Sequence, residues 1–186
     1  MEKAVHTGHG GKLSLARVLT GTFADGTTVY GGADEERISG VLSVMGQEPI
    51  KRGEAQAGDT VAFGRLDSVK TGDTLTEEKG KAVKIETADV AQPVFGLAIA
   101  AKEKKDEVKL TAAIAKIIEE DPSISLTHSQ DMGEMALWGQ GEMHLRVALE
   151  KLVRKYGIDA STRPRQIPYK ETIRKTAEVR GRHKKQ

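Results

Sequence analysis

Gly8-His9-Gly10-Gly11-Lys12 is the first stretch whose residue types suggest chemistry, because clustered glycines before a lysine are the raw material of a phosphate-cradling loop. The spacing argues against that use. Such a loop needs glycine five positions before its Gly-Lys, Ser or Thr directly after the lysine, and a helix to follow. Here position 6 is His, position 13 is Leu, and the next residues have strand character, so a turn is the better reading. His6 precedes the loop and His9 lies within it, but two histidines without carboxylate or thiolate partners do not make a metal site. Glu142 could act as an acid or base, yet no partner group stands at useful spacing, and a carboxylate in the first turn of a helix is explained by the helix dipole. Trp138 reads as sheet packing in preference to a base-stacking platform.

The segment that must position these groups is Gly139-Gln140-Gly141-Glu142-Met143-His144-Leu145, running on to Gly157. After Leu145 the apolar residues Ala148, Leu149, Leu152, Val153 and Tyr156 fall at helical spacing, and Gly157 stands where a left-handed residue ends a helix. The Gly-x-Gly corner is expected to turn a strand ending at Trp138 into this helix through backbone angles open to glycine. At about 100° per residue, His144 lies roughly 110° from the centre of the apolar stripe, at the edge of the core. Ile158 to Thr162 reads as a further strand.

Upstream, Val94 to Ala101 predicts a strand and Asp106 a helix cap. Leu110, Ala113, Ile114, Ile117 and Ile118 share that helix's apolar face, with Lys105, Lys109, Lys116 and Glu119 turned to water and Asp121-Pro122 as the stop. Ser123 to His128 and Glu134 to Trp138 are strands around the turn 129–133. Strand, helix, strand, strand, helix, strand is the order of the split β-α-β, or ferredoxin-like, sandwich. Residues 1–88 instead show short β-type runs: Leu13 to Leu19, Thr28 to Tyr30, Ile38 to Val44, Thr60 to Phe63 and Thr74-Leu75. The turn formers Ala24-Asp25-Gly26, Ala57-Gly58-Asp59 and Thr71-Gly72-Asp73 separate them, and many short strands without helices predict a small closed barrel. A composition change at 86–92 marks the boundary.

Composition narrows the function classes. A chain of 186 residues is long enough for two small cores, and with 0 cysteines it has no disulfide, zinc ribbon or thiol chemistry. No apolar run approaches the roughly 20 residues that cross a bilayer, so a cytoplasmic protein with no membrane partner is expected. From Arg163 to Gln186 nine Lys or Arg face two Glu, a net +7, which leaves the remainder at −5. A basic end of this kind suits a polyanion.

Ala16-Arg17-Val18-Leu19-Thr20-Gly21-Thr22, Gly72-Asp73-Thr74-Leu75, Glu119-Glu120-Asp121-Pro122-Ser123, the Gly139 to Leu145 corner and Pro168-Tyr169-Lys170-Glu171-Thr172-Ile173-Arg174 resemble, in order and spacing, successive signatures of bacterial elongation factor G, a translational GTPase. The resemblance covers essentially the whole chain and extends to elongation factor G-like paralogues. It implies that residues 1–88 are a β-barrel like the family's second domain, 93–164 a ferredoxin-like third domain, and 165–186 the basic opening of the fourth. It implies a role in protein biosynthesis as a piece of a larger protein, a monomer, with the ribosome (small-subunit rRNA and proteins) and the GTPase domain of the same parent as partners. GTP and magnesium belong to the parent; neither a Gly-x4-Gly-Lys-Ser/Thr loop nor an Asn-Lys-x-Asp motif occurs in this sequence, so no cofactor and no catalytic residue is expected in the chain. His144 and Lys151 are the implied contacts to the GTPase domain. Lys12, Lys102, Lys104, Lys105, Arg174 and Lys175 are the candidate ribosome contacts. Arg146 stands where the family usually has an acid and Lys151 where it usually has Arg. Two alternatives stay open: an autonomous RNA-binding module, disfavoured by 4% aromatic content, and a piece of a ribosome-recycling or ribosome-protection paralogue.

Overall fold

The computed structural model describes all residues except 8–10, 32–34, 47, 81–84, 131 and 185–186. Most of the glycine-rich loop, with His9, therefore lies outside the described residues. The first part of the chain is built of nine short strands: β1 (Lys3–Thr7), β2 (Gly11–Arg17), β3 (Thr22–Ala24), β4 (Thr28–Tyr30), β5 (Glu35–Arg37), β6 (Val41–Met45), β7 (Glu48–Arg52), β8 (Glu54–Gln56) and β9 (Thr60–Gly64). They pair as an antiparallel five-stranded sheet in the order β1-β2-β9-β6-β7 and as two ribbons, β3-β8 and β4-β5. These pairings close no barrel among the described residues. The sheet and ribbons fold over one apolar cluster that includes Val29, Ile38, Val41, Val61, Phe63, Leu66 and Val69. Turn aspartates hold the connections as their residue type dictates: Asp59 accepts from the amide of Gln56 at 2.9 Å and Asp73 from that of Lys70 at 2.7 Å.

Sequence patterning locates four of these strands and passes over five. β1, β3, β5, β7 and β8 are short or polar, and all five residues of β7 are exposed, so no alternation marks them. The expected strand at Thr74-Leu75 is a single bridge between Tyr30 and Thr76.

The second part runs β10 (Phe95–Ala101), a 3-10 turn (Lys104–Asp106), α1 (Glu107–Glu120), β11 (Ser125–Ser129), β12 (Glu134–Gly139), α2 (Glu142–Tyr156) and β13 (Ala160–Pro164). Its sheet is antiparallel in the order β11-β12-β10-β13. Both helices pack on one face, where Leu110, Ile114 and Ile117 of α1 meet Leu145, Ala148 and Leu152 of α2 over Ile99 and Leu137. That is the split β-α-β order the alternation of elements predicts.

Three local expectations need correction. Asp106 precedes α1, but its side chain caps nothing and instead accepts from Lys109 at 3.0 Å. Val153, placed by spacing on the apolar face of α2, is 52% exposed, since at about 100° per residue it lies at the edge of the buried stripe of Leu145, Ala148 and Leu152. Gly139 and Gly141 hold no left-handed backbone angle. Gly139 is needed for room, since a Cβ there would sit 2.8 Å from Leu145 Cδ2 and 3.1 Å from His144 Nδ1. Gly157 behaves as expected, with φ 64° and its amide donating to the Val153 carbonyl at 3.0 Å while Ile158 donates to Leu152 at 3.1 Å.

Candidate functional site

Three consecutive carboxylates, Glu119, Glu120 and Asp121, end α1, and among the described residues the polar contacts between α1 and the strand-rich part pass through the first two. Within a helix, neighbouring side chains diverge by about 100°, so Glu119 and Glu120 reach different partners. Glu119 faces the first part of the chain. Its Oε1 accepts from the Lys12 ammonium at 2.9 Å and its Oε2 pairs with the His6 ring nitrogen Nε2 at 2.6 Å. Glu120 is buried: it accepts from the His6 backbone amide at 2.9 Å and pairs with Lys155 and, at 3.9 Å, Lys151 near the end of α2. Asp121 leaves the helix in extended conformation and pairs with His144 Nε2 at 3.0 Å, in the first turn of α2.

Charge and hydrogen bonding at this corner follow from those contacts. Burial pushes the Asp121 carboxyl up, but donation from the Ser123 hydroxyl and amide and from His144 outweighs it and holds the group below its usual range. Glu119 behaves alike: desolvation raises it, and the donors Lys12 and His6 more than reverse the effect. Tyr156, on the last turn of α2, is pushed up to about 12 by burial and by the nearby Glu120 and Glu119 charges. His144 is half-buried with both ring nitrogens engaged. The Gln140 amide donates to Nδ1 at 3.1 Å, so the neutral ring carries its proton on Nε2 and donates it to Asp121.

The structure distributes the sequence-predicted residues unevenly. His144 and Lys151 lie on α2 beside the acidic run, so the structure brings the two implied GTPase-domain contacts to one corner. Lys12 does not belong with the exposed cations. Only 7% of it is exposed, and its three ammonium hydrogens are taken by Glu119, the Val69 carbonyl at 2.7 Å and the Asp67 carbonyl at 3.0 Å. Its charge therefore turns inward, away from any outside polyanion. Lys102 pairs with Asp159, and Lys105 with Glu103. Lys104 is exposed on the rim of a cleft of about 550 Å³ at the end of the second sheet. Arg174 and Lys175 lie in 165–184, which is exposed and has no helix or strand. Trp138 is held in the sheet, its indole NH donating to Thr127 Oγ1 at 2.8 Å and the Arg165 guanidinium stacked 4.2 Å from its ring. Among the described residues no group of three His, Asp or Glu could hold a metal, and no helix is long and apolar enough to cross a membrane.

Sequence reasoning does not single out Glu119, Glu120, Asp121, Lys155 or His6 as a site, and it turns Glu119 to water. A signal is nonetheless present. Glu120 continues the stripe Leu110, Ala113, Ile117 by three residues, and a carboxylate on an apolar stripe needs a buried partner.

The chain is thus a strand-rich part followed by a split β-α-β unit, the two meeting at an acidic helix end. Residues 3–78 match the family described as elongation factor G domain 2, and residues 90–164 match elongation factor G, domain III. The chain belongs to the elongation factor G family. It is 42% identical over 176 residues to an elongation factor G-like protein of Synechocystis sp., a match covering 95% of this chain and 25% of that protein. It is 34% identical over 186 residues to elongation factor G 1 of Syntrophomonas wolfei, covering 99% of this chain and 28% of that protein. A crystal structure of a Thermus thermophilus protein superposes with a TM-score of 0.78 at 28% identity, over 89% of this chain and 25% of that one. The chain thus spans about a quarter of the length of these relatives.

Proposed function

We propose that this chain is a non-catalytic central part of a translational GTPase, engaging the ribosome and passing nucleotide state between the motor domain and the rest of its parent protein. The match to two successive elongation factor G domains carries this reading. In it, residues 1–88 form a domain of β-barrel type, 93–164 a ferredoxin-like domain, and 165–186 the basic start of a fourth. His144 and Lys151 face the GTPase domain, with Asp121 holding the His144 ring in one tautomer. Lys102, Lys104, Lys105, Arg174 and Lys175 supply exposed positive charge to rRNA in the cytoplasm. GTP and magnesium bind the parent's motor domain.

The test pairs sedimentation with turnover. The purified chain, mixed with ribosomes, is expected to co-sediment saturably and to dissociate as salt rises, since phosphate contacts release counterions. It is expected to add no GTP hydrolysis to that of the ribosomes alone. Ribosome-stimulated turnover by the chain, or its absence from the ribosome pellet at low salt, overturns the reading.

A further inference from the structure

We propose that the run Glu119-Glu120-Asp121 is a conformational latch that locks the strand-rich part and the helix-bearing part into one orientation through charge, and that opens without exposing either core. The two apolar clusters share no residue: one closes over Val41, Phe63 and Leu66, the other over Ile114, Leu145 and Leu152. Among the described residues, charged and hydrogen-bonded groups tie the parts together where α1 meets β1. Lys12 and the His6 ring and amide stand on the strand-rich side, Glu119 and Glu120 on the other, with Lys151 and Lys155 of α2 closing the far side of Glu120. Each carboxylate is bonded from both sides or tied to a buried cation, so a tilt of one part against the other breaks several charge-assisted bonds at once.

The junction is also built to release. Separation leaves Lys12 its two carbonyl partners and lets water replace Glu119, whereas an apolar junction would expose hydrocarbon. Asp121 extends the run to His144 in the first turn of α2, so a partner that displaces this turn pulls on the element that holds the strand-rich part. In this respect the latch deepens the proposed function, giving the chain a means of passing a movement at His144 to its other domain.

The chain has 0 cysteines, so two can be introduced as unique attachment points. Ile50→Cys and Val108→Cys, at residues 60% and 81% exposed, carry one nitroxide on each part. Electron–electron double resonance on the isolated chain then reads the distance between them. The expected result is one narrow distribution that broadens at least twofold in Glu119→Gln/Glu120→Gln and in 1 M NaCl. Lys12→Met is expected to act similarly. Because a buried lysine's loss can also disturb its own strand, the glutamine pair, which keeps the size of both side chains and removes only their charge, is the deciding variant. A distribution already broad in the starting protein, or one unchanged in the glutamine pair, overturns the latch. No ribosome takes part, so this outcome is separate from the co-sedimentation that tests the proposed function.

Discussion

At the scale of single residues, ionisation sets the strength of the acidic corner. Glu119 and Asp121 both titrate below their ordinary values of 4.5 and 3.8 in the folded chain. Folding therefore favours their charged forms, so their contribution is complete above those ordinary values and disappears as pH falls through them toward the lower folded ones. Melting temperature should drop between about pH 5 and pH 3, and the drop should be shallower in Glu119→Gln. Parallel curves for the two proteins would show that Glu119 adds nothing to acid sensitivity. Little of this is legible in the sequence. Helical spacing places His144 at the core edge, and it is half-buried as that angle implies, but its partner Asp121 lies 23 positions back, and no local pattern encodes such a pairing. Lys12 misleads for the opposite reason. A lysine beside glycines looks exposed, and only long-range contacts, with Glu119 of α1 and with the carbonyls of Asp67 and Val69, turn it inward.

At the scale of elements, periodicity reads the helices well because their apolar stripes are long. The bounds of α1 and α2, Glu107–Glu120 and Glu142–Tyr156, follow from Pro122 and Gly157 as stops. The corner between β12 and α2 shows where local rules fall short: two glycines look like a conformational device, yet only Gly139 is required, and for space. Gly139→Ala should destabilise by about 1–3 kcal/mol through overpacking against Leu145, while Gly141→Ala, whose new methyl meets nothing within 4 Å, should cost clearly less. Equal losses by urea titration would contradict the packing explanation. Leu152→Ala, which empties a 1% exposed position between α2 and the sheet, should cost about 2–5 kcal/mol. A smaller value would mean the helix collapses into the gap.

At the scale of the molecule, the order of elements gives away the second part, because two long amphipathic helices set among four strands match the split β-α-β order, which itself prescribes the non-sequential pairing of β10 with β12 and β13. The first part resists. Its sheet joins β9 to β2 and to β6 across long sequence separations, and its ribbons are three residues wide, so composition shows strands without showing how they pair. The latch is invisible for the same reason, since His6 and Glu119 are 113 residues apart. Under the proposed function, two small cores joined by charge form a part that transmits motion and leaves chemistry to a motor elsewhere. Competition on the ribosome tests this most directly. With the chain bound, titration of intact elongation factor G should displace it completely, and naked rRNA should hold it far more weakly than ribosomes do. Simultaneous occupancy by both proteins, or equal binding to free RNA, would contradict a shared site and favour an independent RNA-binding module.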